Sequence, residues 1–508
     1  MPRPNTGVPG YTQAEADERF ALAGDVYTQA EANGKFDPQG RGIARRLSFS
    51  GLPLWNARTS SWVPDVRVYL HQDGSVSHDM TMSTFMAGQD WTGYTRFFVD
   101  PVNGSDSNNG STWALAKQTL RYLVGTSTNK VIITRNGALF DHNDGPRGGG
   151  LGAHTVLMTE DLNGAPARIT SRMRKTAPPW TWDAALSLWK WAGAPVDSVM
   201  GCAMDLTHPD AEGNPYRYDP YGTLAACQAA PYRLFRDVAG TTIYINHPGG
   251  SGADVTGIIP HYGVSCLNNN VPYWFRSLNM DWECSGAACY SNNPTAGTTT
   301  SDQGFYKNRF LFCGTRLVSG NPATGNSTYC SEPGKTINWR CEALGSSSDG
   351  FNYQSGHRSI EIECRGMANG YRAADEHATT NQGSTNHGSH CIRINGEYGR
   401  NGGPGIQDVK AGGLESISVN VGCCTYDSLW VRGDSPSDAA DVVAGITVYA
   451  DVASIVLIRH RFARPDGTPS TSAKSIWAAA SSTILMDQLP ASGKVVTEAS
   501  AKVFGGLV

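Results

Sequence analysis

The stretch Ile337-Asn338-Trp339-Arg340-Cys341-Glu342-Ala343 decides how this chain is read. Apolar and polar side chains alternate through it without a break. Alternation of period two marks a strand with one face in a core and the other in solvent. Three further segments repeat the pattern. Ile360, Ile362 and Cys364 alternate with Glu361, Glu363 and Arg365. Ile392 and Ile394 alternate with Arg393 and Asn395, and Ile417, Val419, Val421 and Cys423 with Ser416, Ser418 and Asn420. Ile337, Ile360, Ile392 and Ile417 stand 23 to 32 residues apart. That spacing suits an all-β solenoid whose turns stack, with the variable excess in loops. A β-sandwich would show turn signals every ~8–12 residues. On this reading Arg340, Glu342, Glu361, Glu363, Arg365 and Arg393 share one solvent-facing sheet, along which a polysaccharide can lie.

The bulk composition agrees. The 508 residues include 58 glycines, many in Asn/Ser/Asp/Gly clusters of the kind that punctuate short strands. Net charge is −4, which argues against a nucleic-acid binder, whose affinity rests on a basic surface. No apolar run reaches the roughly 18 residues of a membrane span. The stretch Met1-Pro2-Arg3-Pro4-Asn5 lacks the apolar core of a signal peptide, so synthesis in a cytoplasm is expected. The 12 cysteines contain no Cys-x-x-Cys pair. They read as small core residues, with a few disulfides as the alternative. No metal or cofactor is called for.

The N-terminal region carries an internal repeat. Tyr11-Thr12-Gln13-Ala14-Glu15-Ala16 recurs as Tyr27-Thr28-Gln29-Ala30-Glu31-Ala32, and Phe20 matches Phe36. The threonine and glutamate fit a capping box, but one such unit buries too little to fold alone. The segment resembles the Tyr-Thr-Lys-Ala-Glu-Ala-Asp repeat of bacteriophage tail fibres and tailspikes. The resemblance implies a homotrimer, attachment to a phage tail or baseplate through the N-terminus, and a place in the virion. It implies a bacterial surface polysaccharide as partner, without membrane insertion.

Further along, Phe97-Phe98-Val99-Asp100-Pro101 runs into an Asn/Ser/Asp/Gly turn and then Ala116-Lys117-Gln118-Thr119-Leu120. Strand, turn and short amphipathic helix are expected. The order is similar to the opening cap of right-handed parallel β-helix proteins that act on polysaccharides. The domain reading follows: 1–46 as the attachment segment, 47–95 as a connecting module, 96–462 as a right-handed parallel β-helix, and 463–508 as a small C-terminal trimerisation region. Residues 175–262, with Trp180, Trp182, Trp189 and Trp191, form an insert whose tryptophans read first as a local core and second as a carbohydrate platform.

Chemistry concentrates between Ser346 and Asp408. Glycosidic hydrolysis needs two carboxyl groups flanking the bond, one to donate a proton and one to activate water or attack. Asp349, Asp375 and Glu376 are the candidate carboxylates, and His387 the candidate relay. The series Ser347-Ser348-Asp349-Gly350, Asp375-Glu376, His387-Gly388 and Arg393-Ile394-Asn395 resembles in its order the polygalacturonase pattern Asn-Thr-Asp-Gly, Asp-Asp, Gly-His-Gly and Arg-Ile-Lys. Spacings and several residues depart from that pattern. Arg393, Glu363, Arg365, Tyr353 and Arg372 are the candidate substrate contacts. Endo-acting hydrolysis is the expected reaction, with a lyase or a non-catalytic adhesin as alternatives.

Overall fold

A computed structural model describes residues 44–49, 66–87, 91–125, 128–146, 150–194, 200–209, 215–237, 239, 241–268, 274–283, 288–292, 301–313, 326–330, 334–370, 382–428, 446–472, 474–490, 494–498 and 500–505. The N-terminal repeat lies outside them.

The chain winds as a right-handed parallel β-helix with three sheets as walls. Sheet 1 has nine strands, from Leu267–Asn268 to Val495–Thr497. Sheet 2 has twelve, from Thr95–Val99 to Lys502–Phe504. Sheet 3 has eight, from Leu139–Phe140 to Cys424–Tyr426. Each turn visits sheets 1, 2 and 3 in that order, and each strand pairs in parallel with its counterpart one turn on, about 4.8 Å away. Strands continue in register beyond residue 462, through Lys474–Ala479 and Thr483–Met486. The described part of the region expected to be a separate C-terminal piece therefore extends the coil.

The corner from sheet 2 to sheet 3 is made by one residue per turn. Asn279, Lys307, Arg340, Glu363, Asn395, Gly422 and Arg459 all have φ between 48° and 67°. Their backbone N–H groups donate across to the next turn, as Arg340 does to the Ile362 carbonyl at 2.8 Å and Glu363 to the Ile394 carbonyl at 2.8 Å. Left-handed backbone costs a non-glycine residue about 1–2 kcal/mol, which a repeated cross-turn hydrogen bond offsets.

This corner corrects the reading of the opening stretch. Ile337 to Ala343 is two strands, Gly334–Trp339 on sheet 2 and Glu342–Leu344 on sheet 3, separated at Arg340. The bend reverses which side faces in. Cys341 and Ala343 join the coil interior, while Ile337 and Trp339 face outward. Ile360, Ile392, Val419 and Val456 continue the outward column. The partner of Ile392 is thus Val419, and Ile417 stands opposite His390. Asn338, Glu361, Arg393 and Asn420 point into the coil, all 0% exposed.

An aliphatic column on an outer wall needs a cover, and the connecting module supplies it. Strands Ala44–Leu47, Val68–His71 and Val76–His78 form a small antiparallel sheet. Leu47, Val68, Leu70, Val76, Met80 and Phe85 complete one apolar cluster with the outer face of sheet 2. Residues 75–85 then run along the coil axis. Phe85 packs on Tyr306 and Trp339, and its carbonyl accepts from Arg276 Nε at 2.7 Å. The Val76 carbonyl accepts from Asn395, and the Ser75 carbonyl from Arg459. Burying each large aliphatic chain contributes about 1.5–3 kcal/mol, so this module belongs to the core of the fold.

The opening cap also differs from expectation. Residues 116–119 are not helical; short 3₁₀ turns lie at Trp113–Leu115 and Arg121–Leu123. The Asp106 carboxylate accepts the N–H groups of Gln118 and Thr119, which holds that stretch extended. Leu120 and Leu123 still plug the coil interior. The insert forms a seven-stranded sheet. Trp180 and Trp191 lie in its own core, and the indole N–H groups of Trp180 and Trp189 go to the Ile258 and Gly250 carbonyls. At the foot of the insert Arg172 and Glu283 form a bidentate pair at 2.7 and 2.6 Å, and His261 of the insert stands 3.6 Å from the same carboxylate. Cys289 and Cys313 form a disulfide, and the nine other described cysteines are buried thiols.

Candidate active site

The corner from sheet 3 to sheet 1 takes up the variation in chain length. The connections made there run from the six residues 345–350 to the whole insert. Asp349 ends one of them, just before strand Phe351–Gln354. Gly350 follows because neighbouring backbones crowd the bend: a Cβ there would sit 2.4 Å from the Gly383 carbonyl oxygen. The Gly350 N–H donates to the Gln382 carbonyl at 2.8 Å, tying this turn to the next.

Alternation on sheet 1 then sorts the side chains. Phe351 and Tyr353 enter the coil, and Asn352 and Gln354 lie on the outer face. One turn on, in strand Ser384–His387, Thr385 stands beside Asn352 and His387 beside Gln354. Gln407 follows Thr385 in strand Ile406–Val409. These side chains make a polar strip along the outside of sheet 1.

Asp349 is 6% exposed. Its Oδ2 accepts from Asn352 Nδ2 at 2.6 Å, and its Oδ1 from the Gln382 N–H at 3.2 Å. His387 Nε2 stands 4.0 Å from Oδ2, with 27% of its side chain exposed. Thr385 Oγ1 lies 3.4 Å from the same nitrogen. Burial raises the Asp349 carboxyl above the usual aspartate range, against the opposing pull of His387 and the hydrogen bonds from Asn352 and Gln382. A carboxyl that holds its proton longer than a free aspartate, at the edge of solvent, is suited to protonate a leaving oxygen.

Asp349 and His387 are therefore brought together. Asp375, Glu376 and Arg372 lie outside the described residues. Two candidate contacts are corrected. Arg393 and Tyr353 are both 0% exposed inside the coil. Arg393 donates to Ser384 at 2.8 Å and Asn420 at 3.1 Å, and pairs with Asp408 at 3.4 Å and Glu361 at 3.7 Å. The Tyr353 hydroxyl accepts from Asn338 at 2.7 Å. Neither side chain faces a ligand on the outer wall. Glu363 sits at the opposite corner, clamped by His78 at 3.1 Å and Arg340 at 2.6 Å, which hold its pKa down at about 2. Arg365 lies on the outer face of sheet 3, bridging Glu342 and Glu397 at 3.0 Å each. It sits on a different wall from Asp349.

The strip adds Asn352, Gln354, Thr385, Gln382 and Gln407, which the sequence did not single out. Asn352, Gln354 and Thr385 are the polar residues beside Tyr353 and Asn386, a pattern that marks a face of the strand but no partner. Among the described residues, no group of three or more His, Cys, Asp or Glu side chains has the geometry to hold a metal ion.

No protein-family model and no curated protein matches the chain. Solved structures do align with it. A complex of XylC with xylose covers 79% of this chain and 70% of its own, at 11% identity and TM-score 0.43. The pectate lyase Pel9A covers 81% and 78%, at 9% identity and TM-score 0.33. A glycoside hydrolase covers 81% and 95%, at 9% identity and TM-score 0.32.

Proposed function

We propose that the chain is a tailspike-type depolymerase: a homotrimer, anchored to a phage tail through its N-terminal repeat, that binds a bacterial capsule, O-antigen or exopolysaccharide on sheet 1 and cuts it by endo-glycosidic hydrolysis. The observation that carries this reading is the buried, proton-retaining Asp349 beside His387 on the outer face of the coil. Asp349 donates a proton to the leaving glycosidic oxygen. His387 stabilises the carboxylate that forms. Asp375 or Glu376 supplies the second carboxylate, which activates water or attacks the sugar.

The test is incubation of the purified protein with capsular polysaccharides and lipopolysaccharides, read by size exclusion and reducing-end formation. Chain shortening with new reducing ends is expected, and Asp349→Asn should reduce it by ~10²–10⁴-fold. Ultraviolet absorbance from an unsaturated product would replace hydrolysis by elimination. Tight binding with no shortening would leave an adhesin. Light scattering checks the trimer separately.

A further inference from the structure

We propose that Gln354 is a positioning residue for Asp349, acting through Asn352; this rests on reading Asp349 as the proton donor. Gln354 Nε2 donates to Asn352 Oδ1 at 3.0 Å, and Asn352 Nδ2 donates to Asp349 Oδ2 at 2.6 Å. The two amides form a directed chain. An amide has a donor end and an acceptor end. With its oxygen taken by Gln354, Asn352 must present its N–H to Asp349.

That direction has a chemical consequence. An N–H donor stabilises the carboxylate form, and an oxygen in its place would stabilise only the protonated acid. Gln354 thus keeps the proton on Asp349 releasable, against the burial that retains it. The charged group facing Asp349 among the described residues is His387, from the next turn of sheet 1. It stands beside Gln354 in the strand register, so both influences reach Asp349 from one edge of the strip.

Gln354→Glu tests the relay with little change of shape. A carboxylate at this position accepts and cannot donate. It draws Asn352 Nδ2 to itself and turns the Asn352 oxygen toward Asp349. The Asp349 titration is followed by carboxyl infrared or carbon NMR, assigned with Asp349→Asn and needing no substrate. The midpoint is expected to rise by about one pH unit or more, and by less in Gln354→Met, which merely frees the amide. A new negative charge raises the midpoint through space as well, so the substitution is repeated in an Asn352→Leu background. A clearly smaller rise there supports the relay. An equal rise in both backgrounds, or no rise in Gln354→Met, overturns it. With an active glycanase, the alkaline limb of the pH profile should move with the titration. A shifted titration without cleavage of any polysaccharide would keep the relay and remove the enzymatic reading.

Discussion

Two acid–base clusters sit on opposite sides of one wall. Inside the coil, Glu361, Arg393 and Asp408 form a network that is 0% exposed. Outside it, Asp349 and His387 share the strip on sheet 1. Both hold buried carboxylates next to a nitrogen base. They differ in their access to solvent. Arg393 keeps its proton and is fixed by Ser384, Asn420 and Asp408; burial raises the Asp408 carboxyl as it does that of Asp349, but at 0% exposure it is sealed from solvent. The outer pair stands 4.0 Å apart with a titratable partner and a route to solvent. Burial raises a carboxyl in both clusters, and only the outer one lies beside a side chain that reaches solvent.

The sharpest way to break this contrast is Arg393→Met. It leaves Glu361 and Asp408 uncompensated and should cost about 3–5 kcal/mol, measured by denaturant unfolding. A loss below about 1 kcal/mol would mean that the inner network is not ionised as drawn. The joint between insert and coil holds a related cluster, where burial depresses His261 to about 3. The unfolded chain takes up that proton first as pH falls through about 6.5, so stability is present above that pH and lost below it. Wild type should therefore lose about 2 kcal/mol from this residue between pH 7 and pH 5, and His261→Gln should lose correspondingly less over the same interval.

Asp349 titrates with the opposite sign. Its folded pKa lies above the unfolded value of 3.8, so its contribution is fully present below that pH and is lost as pH rises through the folded value. Asp349→Asn is expected to raise stability at pH 7, measured by denaturant unfolding, with the gain fading toward pH 4. A loss of stability at pH 7 would class this carboxylate with the inner network. The smallest effect belongs to Arg365→Ala, because its ion pairs are 45% exposed on the arginine side. It should cost at most about 1 kcal/mol and leave glycan cleavage unchanged.

Much of the fold was legible in the sequence. Period-two alternation and its recurrence gave the stacked strands, and Phe97–Leu120 located the start of the coil. The side each face took was not legible, because alternation says that two faces differ without saying which is inside. Glu361 and Arg393 look like surface residues until their partners Ser384, Asn420 and Asp408 appear from other strands. The outward isoleucines look like core until the module carrying Val76 and Phe85 covers them. Of the candidate site, Asp349 and His387 were singled out separately from residue order, and their proximity came only with the structure. The contributions of Asn352 and Gln354 were not legible, since a strand amide has no signature without its neighbours.

The left-handed corner keeps the register of the coil. From Asn279 to Arg459 that bend spends one residue per turn, and at most of those turns its N–H is bonded to the turn above. Inserting a residue there would shift every side chain downstream to the wrong side of the wall. The corner beside Asp349 carries segments of unequal length, from 345–350 to 427–445. Connections can therefore change length at one corner while the other keeps count, so that such a change need not disturb the coil that carries them.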